Sequence, residues 1–245
     1  MSNSLNKSQI ERFSRQLVLK NVAAKGQKKI ISSKILIVGI GGLGCPAAEN
    51  LTRAGVGSIG LVDNDIVNLS NIHRQSLFSS KDIKKSKVSV AAKKLKDINP
   101  KTKIKTYKLR INEKNIKNII KNYDLVIDGS DNFKTKFLIN DYCSRLKKKL
   151  VTGAISKFDG HVFTFDFKDK KTASLKSFYQ EDEISDDILN CEFEGVLGTT
   201  ASIVGAIQAN EALKMIIEIG KNLKNQILII DLLNLNFRKI NFKKE

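Results

Sequence analysis

The sequence predicts an α/β fold: a doubly wound, mostly parallel sheet with antiparallel strands towards its C-terminal end. Three observations carry this. Short apolar runs alternate with helical patterns through residues 34–153, the order that builds a parallel sheet covered by helices. A glycine-rich turn, Gly39-Ile40-Gly41-Gly42-Leu43-Gly44, follows the first apolar run and opens a helix. Beyond Gly153 the texture changes to the period-two alternation of "GHVFTFDF", residues 160–167, which suits an antiparallel strand.

Each element follows from its local pattern. "KSQIERFSRQLVLK" has Ile10, Phe13 and Leu17 at helical spacing and reads as one leading helix. "KILIVG" is a buried strand. "LGCPAAENLTRAG" is a helix, with Pro46 tolerated in its first turn and Gly55 closing it. "SIGLVD" is the next strand, and the connection defaults to a right-handed parallel crossover. The alternation continues with a helix over 81–100, a strand over 103–109, the helix "NEKNIKNIIKNY", the strand "DLVIDGSDN", the helix "FKTKFLINDYCSRLKK" and the strand "LVTGAI". The polar stretch 168–190 reads as a long, mobile loop. "TTASIVGAIQANEALKMIIEI" is a strong helix whose Gly205, Ala206 and Ala209 allow close approach, for core packing or a dimer contact. "QILIID" and "LNFRKINF" close the chain as strands.

Composition narrows the class. A chain of 245 residues with 41% hydrophobic residues supports one large domain with a real core and excludes wholesale disorder. The formal charge of +18 permits an anionic partner. However, the lysines are dispersed, and the densest run is Lys147-Lys148-Lys149, so nucleic-acid binding is not expected. Three cysteines, Cys45, Cys143 and Cys191, suit a reducing compartment better than a disulfide framework. No signal peptide and no membrane span are visible, so a cytoplasmic protein is expected.

The glycine turn fits G-x-G-x-x-G between a strand and a helix, a Rossmann-like setting. Gly39, Gly41 and Gly42 let backbone approach phosphates, and the helix N-terminus supplies N–H donors. Asp63 ends the next strand, nineteen positions past Gly44, where a carboxylate can hold ribose hydroxyls. These features fit NAD and ATP alike. The following block, "DNDIVNLSNIHRQ", places Ser70, Asn71, Arg74 and Gln75 just beyond that strand. Lys87 comes in the next helix, and Asp128, Asp131 and Asn132 end the fourth strand. Strand ends face one crevice in such a sheet. Arg and Lys suit a triphosphate and a carboxylate suits Mg²⁺, which favours ATP over a nicotinamide cofactor.

In this order, "RFSRQ", "GIGGLG", "AGVGSIGLVDNDIVNLSNIHRQ", "KKSKV", "DGSDN" and "GVLGTTASIVGAIQANEALK" resemble the ThiF/MoeB/HesA family, bacterial relatives of ubiquitin-activating enzymes. The resemblance spans nearly the whole chain. It implies a single adenylating domain: a helical lead over 1–33, a nucleotide-binding core over 34–153, and a carrier-binding and dimer part over 154–245. It implies a homodimer that uses MgATP to adenylate the C-terminal Gly-Gly carboxylate of a small ubiquitin-fold sulfur carrier protein, releasing pyrophosphate. It places Gly42 against the phosphates, Asp63 on the ribose, and Asn71, Arg74 and Lys87 on phosphates. Asp131 binds Mg²⁺ with Asn132 beside it, and Arg15 enters from the other subunit. Arg15, Arg74, Lys87 and Asp131 are the expected catalytic set. Lys136 stands where the family usually has Arg.

Relatives of this kind usually carry structural zinc on two C-x-x-C pairs. Here Ser174 and Ser177 occupy the first pair, and no cysteine follows "NFRKINF". Zinc is expected to be absent, since serine is no useful ligand. Cys191 aligns with the cysteine that thiamine-pathway members link covalently to the carrier; an inert loop cysteine is the other reading. Cys45 and Cys143 are expected in the core. His73 neighbours the anion site, and His161 lies on a strand. A nicotinamide-dependent oxidoreductase would use Asp63 and the glycines but leave Arg74 and Lys87 idle. A non-catalytic nucleotide-binding remnant and a tRNA-modifying dehydratase remain alternatives. The carrier and its pathway, thiamine or molybdopterin, stay open.

Overall fold

The computed structural model describes residues 4–179 and 195–243. Its centre is an eight-stranded sheet in the order β3-β2-β1-β4-β5-β6-β7-β8. Strands β1 (Lys34–Val38), β2 (Ser58–Val62), β3 (Lys103–Tyr107), β4 (Leu125–Asp128) and β5 (Lys149–Ser156) run parallel. β6 (Asp159–Asp166), β7 (Gln226–Asp231) and β8 (Asn236–Asn241) continue it antiparallel. The expected fold class is the one observed.

The all-apolar strands follow from burial on both faces. Ile35 and Ile37 of β1 face one core, and Leu36 and Val38 face the other. The first core lies under α3 (Ala23–Ser32), α4 (Gly44–Ala54), α5 (Lys87–Ile98) and the long α8 (Gly198–Ile217). The second lies under α6 (Ile116–Ile120) and α7 (Phe133–Arg145). The small residues of α8 serve core packing: a Cβ on Gly205 would meet the Leu43 carbonyl oxygen at 2.5 Å. Cys45 and Cys143 are buried. Burial raises both thiols, Cys45 to about 12, so neither is a reactive thiolate.

Several boundaries differ from the sequence pattern. The leading helix is two pieces, α1 (Lys7–Arg12) and α2 (Ser14–Leu17). The break falls at Phe13, whose ring is buried against Gly55; docking that ring overrides helical continuity. The helix expected from 81 begins only at Lys87. Before it, Ser80–Asp82 form a 3-10 turn and Lys84 takes φ 66°, so that the Lys87 amide can donate to the Asp65 carbonyl at 3.0 Å. β4 ends at Asp128 because its carboxylate turns the chain, accepting from the Ser130 amide at 2.9 Å.

The largest difference is at 168–179, part of the stretch read as a mobile loop; the remainder, with Cys191, lies outside the described residues. Here Ala173 and Leu175 are fully buried. Asn225 accepts from the Ala173 amide at 2.9 Å and donates to the Lys171 carbonyl at 3.1 Å. Phe178 stacks edge-on against Phe163 and Phe242 at 5.2 and 5.8 Å. Polar composition hid the few apolar residues that anchor the segment. Leu175→Ala should therefore cost about 3 kcal/mol, as for a core leucine, measured by urea denaturation; a change near zero would mark this segment as unanchored.

Candidate active site

The carboxyl ends of the parallel strands are level: Val38 pairs with both Val62 and Asp128, and Asp128 with Thr152. The strand order reverses between β1 and β4, and a crevice opens at such a switch point. A cavity of about 1030 Å³ occupies it.

Its floor is the turn between β1 and α4. Gly39 has φ 86°, and a Cβ there would lie 2.7 Å from the Gly129 carbonyl oxygen. Only glycine satisfies both demands. The amides of Gly41 and Gly42 have no hydrogen-bond partner among the described residues, and both glycines line the cavity. They are free donors at a helix N-terminus, suited to an anion.

Asp63, at the end of β2, accepts from the Ile40 amide and the Asp65 amide, each at 2.8 Å. Burial raises its pKa, against the pull of those amides and of the Lys87 charge. It is held as an acceptor beside the glycine turn. Asn71 is buried, and its side chain accepts from the Asn68 amide at 3.1 Å. Gln75 is buried with its Oε1 unpartnered among the described residues. Arg74 is exposed to the cavity; its Nη1 donates to the Ser70 carbonyl at 2.8 Å and lies 2.8 Å from His73 Nε2. Lys87 is buried, with its Nζ 2.9 Å from Asp65. Asp65 is a residue that motif reasoning passed over, although it sits two positions beyond Asp63 in "DND".

On the other side, Asp131 is exposed to the cavity, and Asn132 caps α7 by accepting from the Thr135 amide at 2.9 Å. Their turn is tied down by a buried network that the sequence did not signal. Asp128 is fully buried and accepts from Ser130 Oγ at 2.5 Å, Lys136 Nζ at 3.2 Å and Thr152 Oγ1. Lys136 also donates to the Gly153 carbonyl at 2.6 Å. This lysine is eight positions from its partner, so no helical or strand periodicity reveals the pair.

The cavity thus gathers Gly39, Gly41, Gly42, Asp63, Ser70 and Asn71 with Arg74, Gln75, Lys87, Asp131 and Asn132. Arg15 does not reach it; it stands exposed on α2. The far wall adds His161, whose Nδ1 is 2.8 Å from the Tyr179 hydroxyl.

Fold and cavity define a doubly wound α/β protein with a glycine-floored crevice at its switch point. The ThiF family profile matches residues 13–245, and the chain belongs to the ThiF family. It is 36% identical over 241 residues to a Thermus thermophilus sulfur carrier protein adenylyltransferase, covering 97% of this chain and 89% of that one. It is 37% identical to a probable molybdopterin-synthase adenylyltransferase of Gracilaria tenuistipitata and 40% identical to the adenylyltransferase and sulfurtransferase MOCS3 of Drosophila virilis. It covers 97% and 99% of itself in these matches but only 66% and 53% of the relatives. Among solved structures, E. coli MccB with ATP superposes with a TM-score of 0.85 at 22% identity, over 99% of this chain and 73% of that one. That likeness concerns the fold.

Two outcomes follow from the geometry. Lys136→Met strands a buried carboxylate and should cost about 3–5 kcal/mol in urea denaturation, whereas Lys136→Arg, which keeps a cation, should lose less. Burial lowers the His161 pKa, with the Asp159 charge opposing. Below about pH 6.5 the unfolded imidazole takes a proton that the folded one refuses, so stability falls as pH falls through that window. Compared at pH 7.5 and 5.5, wild type should lose more stability than His161→Gln; equal losses would contradict the assignment.

Proposed function

We infer that this chain adenylates the C-terminal carboxylate of a sulfur carrier protein. The carrying observation is the single crevice that places free glycine amides, Arg74, Lys87 and Asp131 together, in a chain of this family with adenylyltransferase relatives along nearly its full length. The nucleotide is ATP. Its ribose lies at Asp63, and its phosphates lie along the glycine turn, Ser70, Asn71, Arg74, Gln75 and Lys87.

The chemistry needs no protein nucleophile. The carrier's terminal carboxylate is ionised at neutral pH. Its oxygen attacks the α-phosphorus in line, the bond to the β-phosphate oxygen breaks, and pyrophosphate leaves an acyl-adenylate. The protein positions both substrates and sets positive charge where phosphate oxygens gain negative charge. Arg74 and Lys87 supply that charge. Asp65 keeps Lys87 aimed at the crevice until a phosphate competes for it.

Asp131 fits a magnesium site. It is an exposed carboxylate on the cavity wall with Asn132 donating to it at 3.1 Å, and Mg²⁺ in nucleotide sites takes one or two carboxylates plus substrate phosphates. When bound, the ion neutralises phosphate charge.

The partner is a ubiquitin-fold carrier ending in Gly-Gly, and the working form is a homodimer. Arg15, exposed and outside its own chain's cavity, supports donation to the partner subunit's site. No zinc is invoked, because Ser174 and Ser177 stand where the resemblance calls for a cysteine pair and a hydroxyl is no useful zinc ligand. No helix among the described residues is long and apolar enough to cross a membrane, and a cytoplasmic site for the reaction matches its use of ATP.

Asp131→Ala should lower carrier-dependent exchange between pyrophosphate and ATP by at least about 100-fold with an unchanged melting temperature; near-normal exchange removes Asp131 from the reaction.

A further inference from the structure

The cavity, of about 1030 Å³, extends from the glycine turn to the ends of β5 and β6. An oxygen attacking the α-phosphorus in line arrives opposite the departing pyrophosphate, so the carrier's tail takes the half away from the glycine turn. That half is walled by the ends of β5 and β6, with Ala154, Gly160, His161, Tyr179, Gly195 and Val196.

His161 and Tyr179 stand there in a fixed relation that the reaction as described leaves unused. The Tyr179 ring is held edge-on by Phe133 at 4.9 Å, Phe163 at 5.8 Å and Phe178 at 4.8 Å. Its hydroxyl meets His161 Nδ1 at 2.8 Å. Burial keeps the imidazole neutral and the phenol protonated. We assign the hydroxyl as donor and Nδ1 as acceptor, which puts the imidazole proton on Nε2. Among the described residues Nε2 has no partner, and its residue lines the cavity. A neutral, oriented N–H on a residue that lines the cavity together with Ala154, Gly160 and Val196 suits the carbonyl of a slim extended peptide, not a charged group.

We propose that His161, oriented by Tyr179, is a specificity-determining donor that binds a backbone carbonyl of the carrier's extended C-terminal segment. This rests on the adenylation reading and adds the subsite that holds the tail. The pair explains why 168–179 is anchored: the segment delivers Tyr179 to the cavity wall.

The test uses the full chain and the purified Gly-Gly-ending carrier, thiamine- or molybdopterin-pathway, that supports exchange in wild type. His161→Leu should raise the carrier KM about tenfold, while ATP affinity without carrier, by calorimetry, stays within about twofold. His161→Gln keeps an N–H donor and should recover most of the loss. Tyr179→Phe frees the ring and should raise the carrier KM by about threefold. An unchanged carrier KM in His161→Leu overturns the proposal, as does a parallel loss of ATP affinity, which marks a structural role. Should His161→Leu fail to fold, the Gln and Phe variants carry the same comparison. Wild type that binds ATP and carrier but shows no exchange defeats the adenylation reading alone. The carrier's calorimetric dissociation constant then decides the tail contact: weakening in His161→Leu supports it, and no change overturns it.

Discussion

The site depends on a backbone contact between the loops that follow β1 and β4. Gly39, at φ 86°, packs so closely on Gly129 that a side chain would sit 2.7 Å from the carbonyl oxygen, and a Cβ on Gly44 would lie 1.9 Å from the Gly39 carbonyl oxygen. Because the strands end level, these contacts bring the N-termini of α4 and α7, which cover opposite faces of the sheet, to one crevice. A floor made of backbone leaves room for a ligand, and cations must then come from elsewhere. The excursion between β2 and α5 brings Arg74 and Lys87; the turn after β4 brings Asp131.

Two buried lysines flank the crevice, and their partners give them different roles. A buried ammonium ion is costly unless paired. Lys136 meets a carboxylate that is itself fully buried and already accepts from Ser130 and Thr152. No ligand can replace Asp128 without leaving its charge stranded, so this pair is architecture. Lys87 meets Asp65, whose side chain is 56% exposed. In the proposed reaction, water takes over Asp65 when a phosphate takes over Lys87. The exposure of the acid separates a cation that can be lent to a substrate from one that cannot.

The sequence made the parallel core legible because β1, β2 and β4 are buried on both faces and read as unbroken apolar runs. The glycine turn, Asp63 and the "SNIHRQ" block were legible because each has a local signature. The Asp128–Lys136 pair and the role of Asp65 were not, since long-range charge pairing leaves no periodic trace. The break at Phe13 was hidden for the same reason: its cause is a contact with Gly55, forty-two positions away. Segment 168–179 failed differently. Charge and polarity dominate its composition, while Ala173, Leu175 and Phe178 do the anchoring.

That segment is held through aromatic packing. Packing needs area, and here Phe163, Phe178, Tyr179 and Phe242 supply it through edge-on contacts between 4.8 and 6.0 Å. Each such pair contributes about 0.5–1.5 kcal/mol beyond burial. The cluster of rings runs from Phe242, just beyond β8, through Phe163 to Tyr179 and Phe133, and the last two lie on the cavity wall. The residues that secure this part of the fold therefore fix the orientation of the Tyr179 hydroxyl, and through it the imidazole of His161.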